Sequence, residues 1–144
     1  ATMMPQYYLH THGLDVNRDI ENLYVGSQES VIMNVLRGHV AAGATWPVPW
    51  QTFQQEQPES AAQLEVKWQT ETLPNNGWVV RDDVPPGLAA AVGRALVALS
   101  ETEEGRAKVV RLGITRFETA SDDLYRPVLR YLEKFSATVR HIEY

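Results

Sequence analysis

The sequence contains no cysteine. That excludes thiolate catalysis, disulfide staples and thiolate metal sites. It also lacks any apolar run near the ~20 residues that a membrane-spanning helix needs. No basic segment followed by an apolar one opens the chain, and position 1 is not Met. A signal peptide is therefore expected to be absent or already removed. Basic residues are the minority: Lys+Arg number 13 against Asp+Glu 18, for a net charge of -5. Such a balance disfavours nucleic acid or an anionic membrane as the main partner, while leaving room for a local basic pocket. No Gly-x-Ser-x-Gly elbow occurs, so no serine is set up as a hydrolase nucleophile. The four histidines are scattered: His10 and His12 fall on different helix faces, and His39 and His141 have no carboxylate at ligand spacing. No metal site and no cofactor are expected. The acidic pairs Asp82-Asp83, Glu103-Glu104 and Asp122-Asp123 sit near helix starts, where dipole and solvation account for them. An enzymatic reading has little support.

What is present is an ordinary globular balance, 44% hydrophobic and 22% charged over 144 residues. That is long enough to bury a core and argues against disorder. Pro5 to His12 predicts a helix stopped by Gly13. Leu23-Tyr24-Val25 reads as a short buried strand ending at Gly26. Ser27 is then an N-cap for a helix through Leu36, with Val31/Val35 and Ile32/Leu36 repeating at i, i+4. Val40 to Thr45 suits a buried parallel strand. The two prolines of Trp46-Pro-Val-Pro-Trp50 argue against a regular helix or central strand. A short helix is expected after them, and Gln54 to Gln63 reads as a solvated loop. Leu64 to Thr70 alternates like a strand, Pro74 to Gly77 like a turn, and Trp78 to Val80 like another strand.

The second half is helical. Pro85-Pro86 starts a helix with Leu88, Val92, Leu96 and Leu99 on one face. Ser100 with Glu103 resembles a capping box for a helix ending at Gly113. Ser121-Asp122-Asp123 opens a last helix striped by Leu124, Val128, Leu132, Phe135 and Val139. Strands separated by helices in this order predict an α/β fold, with a parallel or mixed sheet covered on both faces.

The sharpest candidate site is Gly26-Ser27-Gln28-Glu29, at the predicted strand-to-helix junction. A helix start offers unpaired N–H groups and the positive dipole end to an anion, and Ser27 and Gln28 add neutral donors. The plainer reading is that Ser27 only caps and Glu29 only complements the dipole. Trp46 and Trp50, with Phe53 behind, fit a pocket wall or simple packing. Asn75-Asn76 fit a turn that also reaches a ligand, or a turn alone.

Several segments taken in order resemble the phosphonate/phosphate-type periplasmic substrate-binding proteins of ABC transporters. They include Pro5-Gln-Tyr-Tyr-Leu9, Gly26-Ser-Gln-Glu-Ser-Val31, Gly38-His-Val-Ala-Ala-Gly43, Leu73-Pro-Asn-Asn76, Val84-Pro-Pro86, Leu112-Gly-Ile114 and Asp122-Asp-Leu-Tyr-Arg-Pro127. The resemblance runs to about residue 130 and rests on order and spacing. It implies the two-lobed, hinge-closing type II fold, with residues 1–73 as the second lobe. Residues 74–144 would return to complete the first lobe and supply the C-terminal helices. It also implies a fragment, lacking the first-lobe N-terminal half and a Ser-Thr-Ser phosphonate-binding run before Ala1. Gln28 stands where the family usually has a ligand-binding His, and Glu29 where an acidic residue follows. Val48 and Asn76 stand where aminoalkylphosphonate binders place a Glu and an Asp. Without those carboxylates an ammonium group loses its counter-charges, which points to phosphate, phosphite or a simple phosphonate. The expected ligand-binding set is Gly26, Ser27, Gln28, Glu29, Trp46 and Asn76. The expected partners are a small oxyanion and a membrane permease, with no nucleic acid, and the expected place is the periplasm or a lipid anchor outside the cytoplasmic membrane. An exposed inter-lobe surface would favour a homodimer. Two other readings use the same fold: an extracytoplasmic sensor domain of a signalling protein, or the effector-binding domain of a transcription regulator.

Overall fold

The computed structural model describes residues 2–143. Every regular element among the described residues is a helix. They are α1 (Met3–Thr11), α2 (Gln28–Leu36), α3 (Pro47–Glu56), α4 (Pro58–Ala61), α5 (Pro86–Ala98), α6 (Glu103–Val110) and α7 (Asp122–Thr138). A 3-10 turn, Leu99–Glu101, joins α5 to α6.

The α/β expectation, with its type II binding-protein sheets, is therefore corrected. The chain is 51% helical and shows no strand among the described residues. Residues 23–25, 40–45, 64–70 and 78–80 run as irregular or extended backbone, and no ladder hydrogen bond joins any of them. A short apolar run or an alternation records which side chains seek burial, but a strand exists only through the partner that completes its ladder. Here the partner is absent, and the apolar groups stay in solvent: Tyr24 is 67% exposed and Val79 94%.

Two further corrections concern proline and capping. The segment Trp46-Pro-Val-Pro-Trp50 opens α3, with Pro47 at its first position. In a first turn the N–H that proline lacks has no intrahelical acceptor to lose, and its fixed φ is already helical. The predicted loop 54–63 is instead the end of α3 and all of α4. At the start of α6 the cap is Thr102, whose Oγ1 accepts from the Gly105 N–H at 3.0 Å, while Ser100 lies in the 3-10 turn. The expected turn at 74–77 is not formed, and the segment is irregular backbone.

Contacts divide the chain into two compact units, Ala1–Thr72 with Arg130–Tyr144, and Leu73–Leu129. The division falls inside α7. The first unit holds most of the buried side chains. Ile32, Phe53 and Ala61 form a core from α2, α3 and α4, against which Met33, Leu36, Trp50 and Leu64 pack. Val16, Tyr131, Phe135 and Val139 are also buried there. Polar bonds knit the two sequence ends of this unit. Asn17 Nδ2 donates to the Val139 carbonyl at 2.9 Å, and Arg140 donates to Gln6 Oε1 at 2.7 Å. Buried Gln6 in turn donates to Asn22 Oδ1 at 3.0 Å, so both ends of its amide are partnered.

The second unit is different. Its buried residues are Gly105 and Val109, and none of α5 is buried. Tyr125 donates its hydroxyl to the Asn75 carbonyl at 3.0 Å, and Trp78 meets Phe117 edge-on with centroids 5.1 Å apart.

Candidate functional site

Gly26 has φ +80°, a left-handed turn that side-chain-bearing residues rarely adopt, and it delivers the chain into α2. Ser27 follows with extended backbone, and its Oγ accepts from the Ser30 N–H at 3.1 Å. The same hydroxyl donates to Ser30 Oγ at 2.9 Å. Both capacities of Ser27 are therefore spent on the cap. The donors left at this helix start are the first-turn N–H groups of Gln28 and Glu29, which have no acceptor within the helix.

Gln28 is half-buried, and its Oε1 is enclosed without a hydrogen-bond partner. A buried amide oxygen left unpaired costs about 1–3 kcal/mol, so this atom is the one most in want of a donor. Glu29, one residue on, lies along a groove between α2 and α3. The groove has a volume of about 240 Å³ and is lined in part by Val48, Thr52, Phe53 and Glu56. Two carboxylates, Glu29 and Glu56, thus face one small space.

Of the residues expected from the sequence, the structure places Gly26, Ser27, Gln28 and Glu29 together at the start of α2. Trp46 occupies the N-cap position of α3 without a side-chain capping bond, is 49% exposed and is not part of the groove lining. Asn76 is exposed and belongs to the other unit. Phe53, offered by the sequence as pocket wall or packing, both lines the groove and packs in the core. Sequence reasoning misses Thr52 and Glu56, the latter because residues 54–63 read as a solvated loop. The i, i+4, i+8 spacing of Val48, Thr52 and Glu56 was the signal available. Among the described residues no group of three or more His, Asp or Glu could hold a metal ion. No helix described is long and apolar enough to cross a membrane.

The family described as ABC transporter, phosphonate, periplasmic substrate-binding protein covers residues 1–125 of the 144. No curated protein and no solved structure matches the chain. The family is one of transport binding proteins rather than enzymes, works outside the cytoplasm, and serves an ABC transporter. The chain belongs to the phosphonate-type periplasmic substrate-binding proteins of ABC transporters.

Proposed function

We propose that the start of α2 holds a protonated phosphorus oxyanion, a phosphonate, phosphate or phosphite, and passes it on without chemical change. The observation that carries this reading is the enclosed, unpartnered Oε1 of Gln28 beside two free first-turn amides. The amides and the dipole end favour the anionic oxygens. A P–OH group, present on a monoprotonated oxyanion, donates to Gln28 Oε1 and relieves it. Glu29 disfavours a fully ionised ligand at the same place and accepts from a hydroxyl. Sulfate carries no proton at neutral pH and leaves Gln28 unpaired.

The groove refines the ligand. Val48 removes one carboxylate that an ammonium group would use, but Glu29 and Glu56 supply two others beside it. A short phosphonate with an amino substituent suits this charge, its phosphonate on α2 and its ammonium toward Glu56. Capture then proceeds by population shift: the ligand stabilises the arrangement it contacts best, and the permease accepts that form.

Calorimetry with methylphosphonate, 2-aminoethylphosphonate, phosphate and sulfate tests the reading. Phosphorus ligands are expected to bind and sulfate to bind at least about 10-fold more weakly, a difference near 1.4 kcal/mol. Gln28→Ala is expected to erase that discrimination. Equal affinity for sulfate and phosphate, or a Gln28→Ala variant that binds as the parent does, would refute it.

A further inference from the structure

A second cavity lies in the first unit, away from the start of α2 and lined by other residues. Its volume is about 160 Å³, and its walls include Tyr7 and Tyr8 of α1, Tyr131 of α7, His12 and Glu71. That is smaller than the ~300–1,000 Å³ of pockets for drug-sized ligands, and sized for a small headgroup.

The rings are held in place before any ligand arrives. Tyr131 is buried, and its hydroxyl donates to the Met3 carbonyl at 2.9 Å. Tyr7 meets it edge-on, centroids 5.5 Å apart at 71°. Tyr8 stacks on His12 at 4.0 Å and 19°. His12 Nδ1 donates to the Tyr8 carbonyl at 2.7 Å, which fixes the imidazole against the ring. Trp68 lies near Tyr8, its ring centroid 6.5 Å away and tilted by 43°.

The charge of this cavity has one sign. No Lys or Arg lines it, and Glu71 contributes a carboxylate. Aromatic faces are the negative ends of ring quadrupoles and attract cations. The Tyr131 phenol responds to the same field: burial first, then the negative charge of Glu71 and of Tyr7, pushes its pKa well above the ordinary value. Burial opposes charge of either sign, so only the smaller part owed to Glu71 and Tyr7 favours a cation over an anion here. The cation must be one that does not need many oxygen ligands, because Glu71 is the one carboxylate in the walls and the hydroxyls of Thr11 and Thr70, which also line it, are already bonded to backbone carbonyls. A metal ion or a primary ammonium would be left under-coordinated there. A methylated ammonium group, bulky and without N–H donors, would not.

We propose that the Tyr7–Tyr8–Tyr131 cavity with Glu71 binds a small organic cation of the trimethylammonium type, independently of the oxyanion at α2. The group is carried by free choline or by a choline lipid headgroup, and the experiment separates these sources.

Binding of tetramethylammonium and of choline to the full chain is followed by calorimetry and by tyrosine fluorescence. The comparator is 3,3-dimethylbutan-1-ol, the uncharged isostere of choline. Choline is expected to bind at least about 10-fold tighter than the isostere, consistent with one or two desolvated cation–π contacts. Tyr8→Leu is expected to weaken choline about 10-fold, and Glu71→Gln to weaken it about 3-fold or more. Glu71 is exposed, so its variant keeps the fold even where a tyrosine variant does not. Saturating methylphosphonate should leave choline affinity unchanged. Association with phosphatidylcholine vesicles without affinity for free choline would assign the lipid headgroup. Failure to bind tetramethylammonium, choline and the vesicles alike, or equal affinity for choline and its isostere, would overturn the proposal without touching the oxyanion reading.

Discussion

Tyr131 reaches across 128 sequence positions to place its hydroxyl 2.9 Å from the carbonyl oxygen of Met3. The bond ties the second half of α7 to the first turn of α1, and the buried ring stands on it. Tyr131→Phe keeps the ring and removes the donor, so a loss of about 1 kcal/mol is expected in urea unfolding. The alkaline limb provides a second reading. The folded state holds the phenolic proton above the pH at which an unfolded tyrosine releases it, near pH 10. Stability is therefore complete below about pH 10 and falls as pH rises further. Tyr131→Phe should flatten that part of the fall; an unchanged alkaline profile would show that Tyr131 is not its source.

Phe53 is 4% exposed and sits in the core shared by α2, α3 and α4. Truncation to alanine opens a cavity that these short helices cannot easily close. Phe53→Ala is expected to cost about 3–5 kcal/mol, measured by denaturant titration. Ile32→Val, one methylene smaller, should cost about 1 kcal/mol.

Ser27 and Gln28 are neighbours with opposite expected phenotypes. The hydroxyl of Ser27 is spent on Ser30, so Ser27→Ala should lower stability by about 1 kcal/mol and leave oxyanion affinity close to that of the parent. Gln28→Ala should do the reverse. Paired thermal melts and calorimetry on the two variants distinguish a cap from a ligand contact, and a loss of affinity in Ser27→Ala would reassign the hydroxyl to the ligand.

Gly105 is buried where α6 passes the 3-10 turn. A Cβ added there would lie 1.9 Å from the Leu99 carbonyl oxygen, which is backbone and has little freedom to retreat. Gly105→Ala is expected to cost about 1–3 kcal/mol and to unseat the turn between α5 and α6. Circular dichroism should report lost helix, whereas an Ala at exposed Gly93, with nothing within 4 Å of its Cβ, should leave helix content unchanged or raise it.

The helices were legible because their signals are local. Ser27 caps α2 as its residue type requires, Pro86 starts α5, and Ser121 accepts from the Leu124 N–H at 3.3 Å at the head of α7. The sheet was not legible in the same sense. Leu23-Tyr24-Val25 and Trp78-Val-Val80 have the residue types of strands, but whether a neighbouring segment lies alongside is a fact about the whole chain. At α3 the failure was one of position rather than residue type. Pro47 forbids a helix interior and favours a first turn, and composition alone does not separate the two. The start of α2 was found from the sequence as a candidate site. Its partner groove is not legible, because the polar composition of residues 54–63 reads as a solvated loop and hides the end of α3 that carries Glu56.

The irregular stretch from Glu71 to Val80 has a further consequence for how the chain behaves in time. Its N–H groups donate to no described residue, and the unit it opens buries a single apolar side chain, Val109. Amides there are free to exchange with deuterium at the rate of an open peptide, with little protection spreading into α5. The amides of α2 and α3, over the Ile32 and Phe53 core, exchange only when that core opens. One polypeptide thus carries two clocks, a fast one from Leu73 to Leu129 and a slow one around Phe53.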